Sequence, residues 1–175
     1  MARLSGIQRI MEVGMIVSCA FAFFTLLALA SFNEADPSWS QAGLQSNVQN
    51  WVGPIGAWFA DMLFFGFGRF AYIVPFLIAF LGWFFFQQAK SLIQIDYLTI
   101  GLRIIGTILI VVGMTGVLSI NFDDIFYFSA GGMVGDVISS SLIPYFSIAG
   151  TILLLLSFLL TGITLVTGIS WLTVI

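Results

Sequence analysis

Long runs without charged residues, separated by short charged connections, form most of this chain. Four such runs cover residues 13–33, 70–89, 104–122 and 137–175. A membrane-spanning helix needs about 20 mostly apolar residues, because about 30 Å of hydrocarbon is crossed at about 1.5 Å per residue. The pattern therefore predicts four spanning helices. Their expected bounds are about 13–32, 69–88, 103–121 and 150–172.

The runs predict helices rather than barrel strands. Spanning strands alternate polar and apolar residues over segments of about ten residues. The stretch 151–160 reads Thr-Ile-Leu-Leu-Leu-Leu-Ser-Phe-Leu-Leu and does not alternate. In hydrocarbon each backbone polar group must be satisfied within its own segment, which a helix achieves.

Two further apolar segments are bounded by Gly or Pro. Pro54 begins one of them, and Pro144 ends the other. We predict short helices at about 54–65 and 132–143 that are interfacial or re-entrant. The predicted fold is an all-α integral membrane protein, a four-transmembrane-helix bundle in a single domain over residues 1–175, with one short helix in each of two outer loops.

Basic and acidic residues alternate between the connections. Arg3 and Arg9 precede the first span, and Lys90 and Arg103 flank the connection between the second and third spans. The first acidic connection (residues 32–61) and the second acidic connection (residues 122–136) contain no Lys or Arg. Because cytoplasmic loops retain Lys and Arg, both termini and the middle connection are predicted to be cytoplasmic.

Composition narrows the possible functions. Hydrophobic residues make up 60% of the 175 positions and charged residues only 7%, which excludes a water-soluble domain. The chain has no His and one Cys, so imidazole catalysis, His-ligated metals and an internal disulfide are excluded. No phosphate-binding glycine motif surrounds Lys90, and no basic patch suits nucleic acid. We therefore predict no catalytic, cofactor-binding or metal-binding residue and no nucleic-acid contact.

The charges near the spans are candidate structural residues. Arg69 is an intramembrane charge at the start of the second span. It is expected to extend to lipid head groups, or alternatively to pair with Asp61 or an acidic loop, because an isolated charge in hydrocarbon is costly. Asp61 and Asp96 are expected to be interfacial or loop carboxylates. The adjacent carboxylates Asp123 and Asp124 are expected to be solvated rather than to bind a cation.

Small residues recur at helical spacing in the third and fourth spans. Such residues allow helix backbones to approach closely in lipid. Each set shares one face of its helix, which predicts a packing seam, either within the chain or between subunits. The residues are Gly106, Gly113 and Gly116 in the third span, and Gly150, Ser157, Thr161, Thr164 and Gly168 in the fourth.

Several strings along the chain are distinctive. The most specific is Asp36-Pro37-Ser38-Trp39-Ser40 in the first acidic connection. Further strings follow in the order Gly53-x-x-Gly56-Ala57-Trp58-x-Ala60-Asp61, Leu102-Arg103-Ile104-Ile105-Gly106, Asn121-x-Asp123-Asp124-Ile125 and Gly131-Gly132-x-x-Gly135. Together they cover most of the chain from Phe32 onward, and in sequence and order they resemble the N-terminal membrane domain of the FtsK family of bacterial DNA translocases.

The resemblance implies a membrane anchor and divisome-assembly module at the division septum of the inner membrane. In this family the anchor tethers a hexameric cytoplasmic ATP-dependent motor that links cell division to chromosome partition, and the motor lies outside this sequence. The implied partners are the lipid bilayer, other septal membrane proteins and further copies of the chain. Candidate periplasmic partner or structural residues are Asp36, Pro37, Ser38, Trp39, Asp61, Asp123, Asp124, Gly131 and Gly132.

Two other functions remain possible from the sequence. A small four-span transporter or channel subunit would need polar residues along a path through the membrane, and apart from hydroxyls these are missing from the spans. A DNA-conducting pore is disfavoured because acidic connections without Lys or Arg would repel phosphate.

Overall fold

The computed structural model describes residues 6–41, 47–88 and 97–169. These residues form five α-helices and one 3₁₀-helix. They are α1 (Gly6–Ala30), α2 (Gly53–Phe67), the 3₁₀-helix (Gly68–Ile73), α3 (Val74–Gln88), α4 (Tyr97–Asn121) and α5 (Gly132–Thr167). Over the described ranges β-pairing is limited to an isolated bridge between Ile125 and Phe128.

Four helical segments within the described ranges are long and apolar enough to cross a membrane. They are Arg9–Ala30, Gly53–Trp83, Leu98–Asn121 and Gly132–Thr167. The second of these joins α2, the 3₁₀-helix and part of α3. The predicted fold class, an all-α membrane protein with four spanning helices, is therefore confirmed.

The helix bounds differ from the sequence prediction around Pro144. We predicted a short helix over 132–143 that Pro144 separates from the fourth span. Instead α5 continues through Pro144 and is interrupted at Ser147, whose φ of 55° and ψ of 174° are not helical. Proline lacks an N–H and crowds the preceding turn, but a helix can pass through it with a kink. The break follows three residues later.

The described residues fall into two compact units. The first contains residues 6–41, 47–62 and 71–88, and the second contains residues 63–70 and 97–169. In the first unit α1 packs against α3. A Cβ added at Gly82 of α3 would approach the Ser18 side chain of α1, so the two helices meet closely at this point. Phe21 and Phe59 pack edge to face with their ring centres 5.6 Å apart.

In the second unit α4 packs against α5 along a glycine seam. Gly106 lies so close to α5 that an added Cβ would be 2.9 Å from the carbonyl oxygen of Gly162. The same atom at Gly113 would lie 2.7 Å from the carbonyl oxygen of Leu155. A Cβ at Gly116 would meet the Leu155 side chain at 2.9 Å. All three glycines predicted for the third span therefore lie in an intramolecular seam.

The seam uses a different face of α5 from the one predicted. Ser157 and Thr161 are exposed, and a Cβ at Gly150 would meet only Phe146 and Ser147 of its own helix. Thr164 is half-buried with its hydroxyl bonded to the carbonyl of Leu160, and Gly168 caps the helix with φ 74°. The residues of α5 that approach α4 include Gly135, Leu155, Leu159, Gly162 and Leu165. The five small residues predicted for the fourth span are thus not the ones that meet the α4 glycines, and the alternative of a seam between subunits stays a prediction for them.

Candidate functional site

The first acidic connection is organised around the buried carboxylate of Asp36, which is 1% exposed. Its Oδ1 accepts the backbone N–H of Gln49 at 2.8 Å, and its Oδ2 accepts that of Asn50 at 2.9 Å. A buried carboxylate is tolerated when such donors satisfy it. Asp36 therefore holds the two ends of the connection together, and its carboxylate is not presented for contact with a partner.

Asn50 ties the same connection to the end of α1. Its Nδ2 donates to the backbone carbonyl of Ala28 at 2.8 Å and to that of Ser31 at 3.3 Å. Its Oδ1 accepts the N–H of Val52 at 3.1 Å, immediately before α2 begins. The sequence analysis did not single out Asn50. The signal in the sequence that could have indicated its role is its position three residues before Gly53-Pro54, where α2 begins.

Asp61 is fully buried in α2 and does not lie in a loop, while its expected interfacial position stays a prediction. Its Oδ2 accepts the backbone N–H of Ser40 at 2.7 Å, and its Oδ1 accepts the Ser40 hydroxyl at 2.8 Å. The last residue of the Asp-Pro-Ser-Trp-Ser string thus fastens to α2. Asp96 lies outside the described residues.

The exposed feature of this string is Trp39. Its side chain is 51% exposed, whereas Pro37 and Ser38 are half-buried. The N–H of Ser38 donates to the carbonyl of Gln41 at 2.9 Å, which closes a local turn around Trp39. Of the four predicted partner residues in the string, Trp39 is the one whose side chain is most available to a partner.

The second acidic connection contains a tight turn between Ile125 and Phe128. These two residues exchange backbone hydrogen bonds of 2.9 Å in both directions, and Phe126 between them has a φ of 55°. Asp123 and Asp124 are exposed before this turn. In the described part of the chain, no three His, Cys, Asp or Glu side chains are grouped as a metal-ligand set.

Arg69 contacts the second acidic connection through the backbone. Its Nε donates to the carbonyl oxygen of Asp123 at 3.1 Å, and its N–H donates to the carbonyl of Ala130 at 2.8 Å. The side chain is exposed. The side chain thus contacts an acidic loop through a backbone carbonyl, and both its extension to lipid head groups and its pairing with a carboxylate stay predictions.

Gly131 and Gly132 are buried backbone-packing positions rather than surfaces presented to a partner. Gly132 has a φ of +63°, and an added Cβ would lie 2.5 Å from the backbone nitrogens of Phe67 and Gly68. A Cβ on Gly131 would meet the backbone of Thr115 and the side chain of Ser119. The two glycines let the start of α5 approach the 3₁₀-helix and α4.

A polar network around Asp136 was missed by sequence reasoning. Asp136 Oδ1 accepts the hydroxyls of Ser129 at 2.5 Å and Ser119 at 2.6 Å. The hydroxyls of Ser119 and Ser139 lie 3.2 Å apart. Ser119 lies on α4 and Asp136 on α5, so their approach depends on the packing of these two helices and is not visible in local sequence.

Comparison with known proteins identifies the family. Residues 8–175 match the family model described as the 4TM region of DNA translocase FtsK/SpoIIIE. No solved structure matches the chain.

Curated proteins with the name DNA translocase FtsK are similar to this chain, and three of them illustrate the range of identity. The protein from Shewanella oneidensis is 51% identical over 172 residues, which cover 98% of this chain and 19% of that protein. The Vibrio vulnificus protein is 42% identical over 99% of the chain and 18% of its own length, and the Pseudomonas syringae pv. syringae protein is 32% identical over 93% and 21%. The chain thus spans about a fifth of their length. It belongs to the FtsK family and corresponds to the four-helix membrane region of that family.

Proposed function

We propose that this chain is the membrane anchor of a septal DNA translocase and that it supports divisome assembly in the bacterial inner membrane. The observation that carries the proposal is the family match over residues 8–175, which corresponds to the four spanning segments. In this proposal the chain positions a cytoplasmic motor that couples division to chromosome partition, and it carries no catalytic step itself.

The charge distribution supports an orientation with both termini in the cytoplasm. Arg9 and Arg103 lie on α1 and α4 at the ends opposite the acidic connections. The acidic connections then face the periplasm. Arg69 stands on the acidic side, where its contact with the Asp123 carbonyl gives its Nε a protein partner.

The first acidic connection is suited to hold a contact surface in a fixed conformation. Asp36 and Asp61 each accept two hydrogen bonds, and together these fix the connection to α2 and to its own far end. Side chains held in one conformation lose less entropy when a partner binds. The periplasmic surface offered to other septal proteins in this proposal is therefore centred on Trp39.

Tethering to a common membrane would also favour assembly of the motor. Confining several copies near one another raises their effective concentration, which promotes ring formation without new contacts. Membrane anchoring therefore favours formation of the hexamer implied by the family, even when the spanning helices of different copies bind one another weakly.

Single-cysteine labelling tests the orientation. In a Cys19→Ser background, Gln41→Cys and Asp124→Cys should react with a membrane-impermeant maleimide in intact spheroplasts. Gly6→Cys and Ile169→Cys should react only after the membrane is disrupted. Labelling of Asp124→Cys and Ile169→Cys from the same side would contradict the four-span topology.

Septal recruitment tests the anchoring role. The chain fused to a cytoplasmic fluorescent protein should concentrate at division sites, and Trp39→Ala should reduce this enrichment severalfold. Trp83→Ala is the matched control, because Trp83 is 49% exposed but lies on α3. Uniform membrane fluorescence of the unsubstituted fusion would refute septal anchoring, and equal enrichment of both variants would refute the role of Trp39.

A further inference from the structure

A cavity of about 260 Å³ lies in the second unit, beside the second acidic connection. Its aromatic wall is formed by Phe65, Tyr127 and Phe128, and its other side by Met133, Asp136 and Val137 from the first turns of α5. Met133 and Val137 are more than half exposed, at 51% and 58%. The cavity thus opens to the surroundings and combines apolar walls with one carboxylate.

One oxygen of the Asp136 carboxylate is held by hydrogen bonds. Asp136 Oδ1 accepts the hydroxyls of Ser119 and Ser129, which fixes the side chain. Among the described residues, Oδ2 takes part in no hydrogen bond of this network. It is therefore positioned as an acceptor for a ligand, and charge-assisted hydrogen bonds to such an oxygen are about twice as strong as neutral ones.

The size of the cavity favours a single side chain. Pockets for drug-sized ligands and cofactors usually measure about 300–1,000 Å³, so this cavity is smaller than that class. Lys and Arg combine an apolar stem with a cationic head. The stem matches Met133 and Val137, the head matches Asp136, and the ring of Tyr127 adds a face that attracts cations.

The proposed source of the cation is a different protein. Neither acidic connection contains Lys or Arg, and residues 104–175 contain none. In the proposed orientation, the basic residue of this sequence on the same side of the membrane as the acidic connections is Arg69. Its Nε already donates to the Asp123 carbonyl. A second copy of this chain is therefore a poor source.

We propose that this cavity binds an arginine or lysine side chain, flanked by apolar residues, from an extracytoplasmic segment of a different membrane protein. The extracytoplasmic location rests on the orientation given under Proposed function. Binding itself does not depend on it, so failure of the labelling experiment and failure of the binding experiment are distinguishable.

Methyl NMR of methionine tests the proposal on the purified chain in phosphatidylcholine nanodiscs. The chain has six Met, and Met133→Leu identifies the Met133 signal by its disappearance. The probe is the acetylated, amidated tripeptide Leu-Arg-Leu, and the matched control peptide is Leu-Gln-Leu. The Met133 signal should shift saturably with the arginine peptide, and the glutamine peptide should bind at least tenfold more weakly.

Substitutions inside and outside the cavity distinguish a loss of peptide binding from a loss of folding. Asp136→Asn should weaken the arginine peptide about tenfold, whereas Glu34→Gln removes an equivalent exposed charge outside the cavity and should leave binding unchanged. Val137→Lys places a cation beside Asp136 at an exposed position and should abolish peptide binding while the other Met signals stay in place.

Three results would overturn the proposal. The first is a Met133 signal that does not shift when the arginine peptide is added. The second is equal affinity of the chain for the arginine and glutamine peptides. The third is a signal that shifts on replacing phosphatidylcholine with phosphatidylethanolamine but not on adding peptide, which would assign the cavity to a lipid ammonium group.

Discussion

Ser40 and Asp61 are joined by two hydrogen bonds although 21 residues separate them. The backbone N–H and the hydroxyl of Ser40 each donate to a different carboxylate oxygen, at 2.7 and 2.8 Å. Asp61 is fully buried, so these donors replace the water that a carboxylate would otherwise bind. This pair fixes the position of the first acidic connection on α2.

Asp61→Asn should lower the free energy of unfolding by about 1–3 kcal/mol, because the amide offers one acceptor where Ser40 supplies two donors. Thermal unfolding of the purified chain in detergent, followed by tryptophan fluorescence, measures the change. Glu34→Gln removes an exposed charge from the same connection and should be nearly neutral. Equal melting temperatures for the two variants would contradict the role given to the Ser40–Asp61 pair.

Gly132→Ala should be strongly destabilising, by about 2 kcal/mol or more, since the position has a positive φ and close backbone neighbours. The matched control is Gly66→Ala. Gly66 lies in α2, and an added Cβ there meets nothing within 4 Å. That control should be neutral or stabilising by up to about 1 kcal/mol, as expected for Gly to Ala in a helix. Destabilisation by Gly66→Ala of the same size would argue against the close approach at Gly132.

The α4–α5 seam can be tested with two glycines of one helix. Gly113→Ala should cost about 1–3 kcal/mol, because the new methyl group would lie 2.7 Å from the Leu155 carbonyl oxygen. Gly101→Ala adds the same methyl group to α4 where nothing lies within 4 Å, and it should not destabilise. Denaturant titrations in mixed micelles would measure the free energy of unfolding of both variants. Equal values would contradict the close packing of α4 against α5 at Gly113.

Two buried threonines of the same unit differ in hydrogen bonding. Thr115 Oγ1 donates to the carbonyl of Val111 at 2.7 Å, whereas Thr151 Oγ1 is buried without a hydrogen-bond partner among the described residues. Thr151→Val should therefore stabilise the chain by about 1 kcal/mol, and Thr115→Val should not. Melting temperatures of the two variants in the same detergent provide the comparison. A loss of stability with Thr151→Val would indicate a partner for that hydroxyl.

The spanning helices were predictable because the cost of burying charge in hydrocarbon is local. The charges at Glu12, Arg69, Arg103 and Asp123 bound the apolar runs, so the number of spans can be read from the sequence. The bounds cannot, because the second and fourth spanning segments begin at Gly53 and Gly132 rather than near residues 69 and 150. The seam on α4 was predictable for the same reason, since Gly106, Gly113 and Gly116 share one face whatever packs against them.

The buried carboxylates were not predictable from local pattern. Asp36 stands in a polar connection and resembles a solvated residue in sequence, whereas Asp61 stands in the apolar sequence of α2. Their donors are the backbone N–H groups of Gln49, Asn50 and Ser40 and the Ser40 hydroxyl, all from residues 13 to 21 positions away. Sequence reveals a potential acceptor at each site but not the donors that converge on it.

The interruption of α5 at Ser147 divides one long rod into two shorter ones. As a straight helix, its 36 residues would extend about 54 Å, well beyond the roughly 30 Å of hydrocarbon in a bilayer. With a joint at Ser147, the segment carrying Asp136 and the segment carrying Gly162 need not share an axis. The part of α5 after Ser147 can therefore match the thickness of the lipid, while the part that carries Asp136 keeps its own tilt.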